Sequence, residues 1–230
     1  MLSAPSSLFP SSVKIKEYLS SRCSSGTTTH IYETKTPCDI RKCILKISDH
    51  IQIALTTNDH IISRVPEMNE LYSSICRGTS SSAGSDAVFE TEHIDGPFGI
   101  FPGYTLYRCV FTITNDCGTK TVIQNKEYDM KPLDFVVIDY NRDLHRISSP
   151  TKKGDRYVIK LHFAKTPLTG LIPLKWTFIK LNVLYNTLAR KLFLFTLNPQ
   201  TTTQKIANYI VNSTTRFFAR MWRIKKNTNL

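Results

Sequence analysis

Gly154-Asp-Arg-Tyr-Val-Ile-Lys-Leu-His-Phe163 closes the stretch that decides the fold, which opens at Glu92-His-Ile-Asp95 and passes a second histidine at His145. From Arg156 the side chains alternate, the period expected of a strand with two faces. One residue separates His93 from Asp95, so on a strand both point to the same side. His145, from a distant strand, would complete two imidazoles and one carboxylate on one face of a metal. Such a set suits non-haem Fe(II), because positions remain open for a co-substrate and oxygen. Arg156 follows His145 by eleven residues, and its guanidinium could hold a carboxylate in bidentate fashion beside the metal.

Further motifs fall in order between these points. Arg108-Cys-Val-Phe-Thr-Ile-Thr-Asn115 precedes Gly118-Thr-Lys-Thr-Val-Ile123, then Lys131-Pro-Leu-Asp-Phe-Val-Val-Ile138, Leu144-His-Arg-Ile147 and Gly154-x-Arg156. With His93-x-Asp95 at its head, this series resembles the Fe(II)- and 2-oxoglutarate-dependent oxygenases, most closely their prolyl 4-hydroxylase-like branch. The resemblance spans residues 86–163. It implies Fe(II) held by His93, Asp95 and His145, and 2-oxoglutarate paired with Arg156, with ascorbate in support. The implied reaction hydroxylates a protein side chain (prolyl-like) or a small molecule, releasing succinate and CO2. Thr112, Thr114, Tyr104 and Tyr107 are candidates for a hydroxyl assisting Arg156, with Tyr107 preferred. Where the branch carries Gly-Gly-Glu-Thr this chain has Gly118-Thr-Lys-Thr121, and the branch's tyrosine upstream of His-x-Asp is replaced by Ser, Gly and Ala. Those departures bear on the substrate more than on the metal.

The chain has 230 residues, 41% hydrophobic and 21% charged, enough to bury a sizeable core. Its net charge of +12 is confined to one end. Residues 156–230 hold eight Lys and five Arg with no Asp or Glu, a local charge of +13, so residues 1–155 sum to −1. The asymmetry implies an anionic partner or surface for the tail, with nucleic acid a weaker candidate than a membrane surface. Six cysteines include no C-x-x-C pair, which argues against a zinc ribbon. No secretory signal is read at the N-terminus, so reduced thiols and a cytoplasmic setting are expected, with peripheral membrane contact open to the tail.

The expected fold is mainly β with flanking helices (α+β): a double-stranded β-helix, or jelly roll, with N-terminal and C-terminal helical additions. Residues 1–29, rich in Ser, Thr and Pro, read as a mobile arm. Residues 30–85 read as a helical or mixed support region. There Ile40, Ile44, Ile47, Ile51 and Ala54 recur at helical spacing, while Lys42–Ser48 and Ile51–Leu55 also alternate like strands, the longer window favouring a helix. Glu67–Ile75 reads as a short helix, and 77–85 as a loop. Residues 86–166 form the core, with strands at 87–95, 104–114, 119–124, 126–130, 134–139, 143–147 and 155–163. The Pro/Gly-broken segment 96–103 is a candidate lip for a substrate entrance. Residues 167–230 read as two basic amphipathic helices, 174–197 and 202–224. The first carries an apolar stripe through Leu174, Phe178, Leu181, Tyr185, Leu188, Leu192 and Phe195. Packing of these helices on the barrel is the favoured expectation, and attachment to anionic lipid the rival.

Other readings stay open. Arg156 could make an ordinary ion pair. His30, His50, His60 and His162 lack companions at ligand spacing and read as ordinary histidines. A nucleic-acid demethylase of the same fold would suit the basic tail, but Arg156 is followed by Lys160 and no second arginine. A non-enzymatic jelly-roll module with a membrane- or partner-binding tail is the third possibility.

Overall fold

The computed structural model describes residues 1–22, 29–76, 92–95, 104–167, 175–197, 200–210 and 213. Two antiparallel sheets and a small set of helices make up the fold. The longest strand, β10 (Gly154–Pro167), organises the larger sheet. One edge of it pairs with β5 (Thr105–Asn115). The other pairs first with β4 (Glu70–Cys76) and then with β3 (His60–Arg64). Outward from β5 lie β8 (Asp134–Asp139) and the short β1 (Leu2–Ser3). Outward from β4 lies β2 (Thr29–Tyr32). The smaller sheet runs β7 (Lys126–Tyr128), β6 (Thr121–Ile123), β9 (His145–Ile147). From β5 onward the chain therefore passes from one sheet to the other and back: β6 and β7 in the small sheet, β8 in the large, β9 in the small, β10 in the large.

Local chemistry explains the turns. Gln124 and Asn125 link β6 to β7 with φ of 49° and 67°. Two successive positive φ values make the hairpin turn whose twist matches that of its strands, and Asn tolerates that conformation. Gly154 begins β10 because no side chain fits there. A Cβ would stand 2.7 Å from the Asp116 carbonyl carbon and 2.9 Å from the Cys117 nitrogen.

Helices cover the outer face of the large sheet. In α2 (Cys38–Leu55), Ile40, Ile44, Ile47 and Ile51 are buried at the spacing read from sequence. Each contributes roughly 1.5–3 kcal/mol by leaving water. Pro37 ends the preceding extended backbone and Asp39 complements the positive helix start. Beside it, α1 (Phe9–Ser20) buries Ile15 and Leu19 completely. Both helices pack on Cys109, Phe111, Phe135, Ile159, Leu161 and Phe163 of the sheet.

Two expectations are corrected here. The stretch read as a mobile arm contains α1, whose two fully buried side chains tie it to the sheet. The stretch Glu67–Ile75, read as a short helix, is largely strand β4, held by the ladder it forms with β10 and β2. Nine residues are too few for periodicity to separate helix from strand, and the deciding partners lie far along the chain. The loops read at 77–85 and 96–103, and the strand at 87–95 apart from residues 92–95, fall outside the described residues.

Towards the C-terminus α3 (Lys175–Leu197) forms as expected, and a short helix spans 202–210; positions 211–212 and 214–224 fall outside the described residues. Ile179 of α3 packs with Val65, Met68, Tyr104, Leu106, Tyr140 and Ala164. The expected covering of its apolar stripe does not occur. Leu181, Leu188, Leu192 and Phe195 are exposed, while Leu174 falls outside the described residues. Among the described residues, no helix is long and apolar enough to cross a membrane.

Candidate metal centre

His93 and His145 face each other as a single antiparallel bridge. Each backbone N–H donates to the other's carbonyl at 3.0 Å. Opposed residues in such a pair project side chains to the same face of the sheet. The imidazoles accordingly lie with ring centroids 4.5 Å apart. Asp95, two residues beyond His93, reaches the same point: its Oδ2 is 3.1 Å from His145 Nε2 and its Oδ1 3.8 Å from His93 Nε2. One ligating atom from each of the three lies within 4.8 Å of the others. Ligands at right angles around a metal, with bonds of about 2.1 Å, stand about 3 Å apart, so the three side chains are grouped near the spacing that a metal ion would need.

Surrounding contacts fix the state of each group. His145 Nδ1–H donates to the Asp143 carbonyl at 3.0 Å, which orients the ring so that Nε2 faces Asp95. Arg108 Nη1 donates to Asp95 Oδ2. Burial alone would raise the Asp95 carboxyl. The Arg108 guanidinium, with His145 and His93, outweighs it and holds the group well below the usual carboxylate range. Asp95 is therefore ionised and ready to bind a cation.

Arg108 is anchored in turn. Its Nε–H donates to His162 Nε2 at 3.1 Å, and its guanidinium stacks over the Tyr140 ring. Burial, then the neighbouring Arg108 charge, pushes His162 well below the ordinary histidine value, so it stays neutral and can accept that bond. The reading of His162 as an ordinary histidine missed this supporting role. A strand position on the same face as the inward Val110, and nonetheless cationic, was the signal available at Arg108.

The triad opens into a cavity between the two sheets. Tyr72, Arg108, Val110, Val158 and Lys160 line it from the large sheet, and Thr121 and His145 from the small one. Arg156 lines the same cavity and is 6% exposed. Its guanidinium lies 5.6 Å from the Tyr72 ring centroid. It forms no ion pair with a carboxylate among the described residues. Lys160 differs: its Nζ stands 3.2 Å from Glu70 Oε1, and Glu70 in turn approaches His30 Nδ1 at 3.2 Å. At the outer end of β10, Cys117 is lowered to about 6 by hydrogen bonds from Cys76 and Thr119 and by the Arg156 charge, against the opposing effect of burial.

One expected contributor is elsewhere. Tyr107, preferred as the hydroxyl beside Arg156, packs against the helix-covered core on the other face of β5. Strand alternation separates it from the inward Arg108. Hydroxyl-bearing side chains that do line the cavity are Tyr72 and Thr121.

No protein-family model matches the chain. No curated protein sequence matches it. Among solved structures, it is similar to a truncated viral collagen prolyl hydroxylase from Paramecium Bursaria Chlorella virus-1, with TM-score 0.41, 12% identity, and coverage of 69% of this chain and 85% of that one. A protein of Photorhabdus luminescens gives TM-score 0.26 at 13% identity, covering 46% and 76%. A non-heme monooxygenase in a nickel complex gives 0.40 at 9%, covering 71% of each. Values this low transfer no residue role, and the site stands on its own geometry.

Proposed function

We propose that this chain is an Fe(II)- and 2-oxoglutarate-dependent oxygenase that hydroxylates a prolyl-like protein side chain or a small molecule. The observation that carries the reading is one cavity holding both the His93–Asp95–His145 triad and the buried Arg156, which has no carboxylate partner among the described residues. A buried cation with no carboxylate beside it is costly, and a cavity that contains one is suited to an anionic ligand. The alternation of successive strands between the sheets supports reading the core as a double-stranded β-helix, with the triad at one end of the cavity.

The donor set fits iron. Two imidazole nitrogens and one carboxylate oxygen leave three positions of an octahedron free, whereas a structural zinc site would use four protein ligands. Bound Fe(II) with 2-oxoglutarate supplies an oxidant for an unactivated C–H bond, with succinate and CO2 as by-products. The chain's own residues do the rest. Asp143 fixes the His145 tautomer, and Arg108 keeps Asp95 ionised and oriented. Arg156 presents a planar fork for the far carboxylate of the co-substrate. Charge also favours a dianion: Asp95 is balanced by Arg108 and Glu70 by Lys160, so Arg156 and a divalent metal leave the cavity strongly positive. The apolar Val110, Ile138 and Val158 limit water around the reacting carbon.

A succinate-release assay tests this, run with Fe(II), ascorbate, 2-oxoglutarate and a panel of prolyl peptides, small molecules and oligonucleotides. Succinate that depends on iron and disappears in Asp95→Ala and His145→Ala is expected. Absence of succinate with every substrate, from a chain that does not bind 2-oxoglutarate, would overturn the assignment.

A further inference from the structure

Helix α3 is built inside out. It turns Ile179, Asn182, Val183 and Asn186 toward the protein, and the two asparagines are only 1% and 3% exposed. Asn186 donates to the Asn182 carbonyl one turn back at 2.8 Å, which settles part of that buried polarity within the helix itself. At 100° per residue, these inward positions lie about 120–180° around the helix from its remaining apolar stripe. That stripe comprises Leu181, Leu184, Leu188, Leu192 and Phe195, each between 44% and 55% exposed. Trp176 is 60% exposed near the helix start. In an ordinary surface helix the leucines would face the core and the asparagines the water. Five large apolar groups in one outward line form a contact surface for something else.

Charge identifies that partner. Lys180 and Lys191 are exposed on one flank, about 60–80° from the centre of the stripe. The sequence from 175 to 210 contains Lys175, Lys180, Arg190, Lys191 and Lys205 and no acidic residue. The helix over 202–210 repeats the pattern, with Ile206, Tyr209 and Ile210 exposed beside Lys205. A second copy of the chain would bring the same cations to the seam without carboxylates to pair them, and paired helices rely on such pairs. Nucleic acid would engage the cations but leave the leucines in water. An anionic bilayer surface satisfies both, taking the leucines into the acyl boundary and the lysines at the headgroups.

We propose that α3, together with the helix over 202–210, lies on an anionic phospholipid surface with the Leu181–Phe195 stripe turned into it. The inference is independent of the metal centre, which lies in the cavity between the sheets. Flotation of the full chain tests it, using phosphatidylcholine vesicles with and without phosphatidylserine at low and high salt. The chain should float with phosphatidylserine at low salt, and the bound fraction should fall as salt rises. Leu184→Gln with Leu188→Gln should cut binding about tenfold, since each loses apolar contact and keeps all charge. Lys180→Gln with Lys191→Gln should weaken binding on the anionic vesicles and reduce its salt dependence. Circular dichroism and thermal unfolding read folding separately in each variant, and the lysine pair stands if the leucine pair misfolds. Failure to float with phosphatidylserine at low salt would overturn the proposal. So would flotation of both variants undiminished from the parent's, a dimer in sedimentation abolished by the leucine changes, or oligonucleotide binding with no vesicle binding.

Discussion

The two faces of strand β10 are buried to the same degree and built from opposite chemistry. Tyr157, Ile159, Leu161 and Phe163 are at most 2% exposed and pack under α1 and α2. Arg156, Val158, Lys160 and His162 are at most 8% exposed and face the inter-sheet side. One face can be paid for by apolar transfer alone. The other buries three ionisable side chains, which only specific partners or a ligand make tolerable. Lys160 has Glu70 and His162 has Arg108, while Arg156 lacks a carboxylate among the described residues. The difference between the faces is therefore one of chemistry: the helix side holds the sheet together, and the cavity side gathers the charged groups that the proposed function assigns to an anion and a metal.

The largest effects should come from the cavity end that holds the proposed metal ligands. Asp95→Ala and His145→Ala should reduce iron-dependent succinate formation to background while the far-UV circular dichroism stays that of the parent. Loss of folding in either would blur the distinction between the faces.

Next in size is Arg156→Ala. Losing a buried charge-assisted pair costs roughly 2–5 kcal/mol, which is about 30-fold to several thousandfold in the 2-oxoglutarate Kd. Arg156→Lys should be milder, because charge survives and the fork does not. Titration calorimetry with the iron-loaded chain measures both. If neither shifts the Kd, Lys160 becomes the candidate partner for the carboxylate.

Leu161→Ala probes the opposite face. Truncating this fully buried side chain should cost about 2–5 kcal/mol of stability, seen in denaturant unfolding. The 2-oxoglutarate Kd of the folded protein should barely move. A large Kd change here would show that the faces are coupled through the strand.

Much of this architecture was legible in the sequence, for a physical reason. Strands β5 to β10 carry alternation sharpened by one buried face each, and turn residues punctuate them. The convergence of His93 and Asp95 on one point was legible because His-x-Asp on an extended segment leaves little freedom in direction. Helix α2 showed itself through four isoleucines at helical spacing. What was not legible depended on partners far along the chain. Strand β4 has no decisive period of its own and is a strand because β10 and β2 flank it. Helix α1 looked too polar to be ordered, yet Ile15 and Leu19 suffice once the sheet offers a surface. Tyr107 and Arg108 are adjacent in sequence, and only the register of β5 decides which one enters the cavity. The stripe on α3 was visible, but its direction was not, since Asn182 and Asn186 gave no sign that they would turn inward.

The smallest predicted effect is a pH dependence on the cavity face. His162 is held well below its ordinary value, so the unfolded chain takes up its proton first as pH falls. The stability associated with neutral His162 is present above about 6.5 and is lost as pH drops below that value. His162→Gln should flatten the fall in Tm between neutral and mildly acidic pH. An unchanged pH slope would mean that another group governs it.

The most direct test is anaerobic calorimetric titration of Fe(II) into the chain with 2-oxoglutarate present, comparing the parent with Asp95→Ala. Binding of one Fe(II) per chain, lost in the variant, is the predicted result. Binding that is absent in the parent, or undiminished in Asp95→Ala, would contradict the assignment of His93, Asp95 and His145 as an iron site.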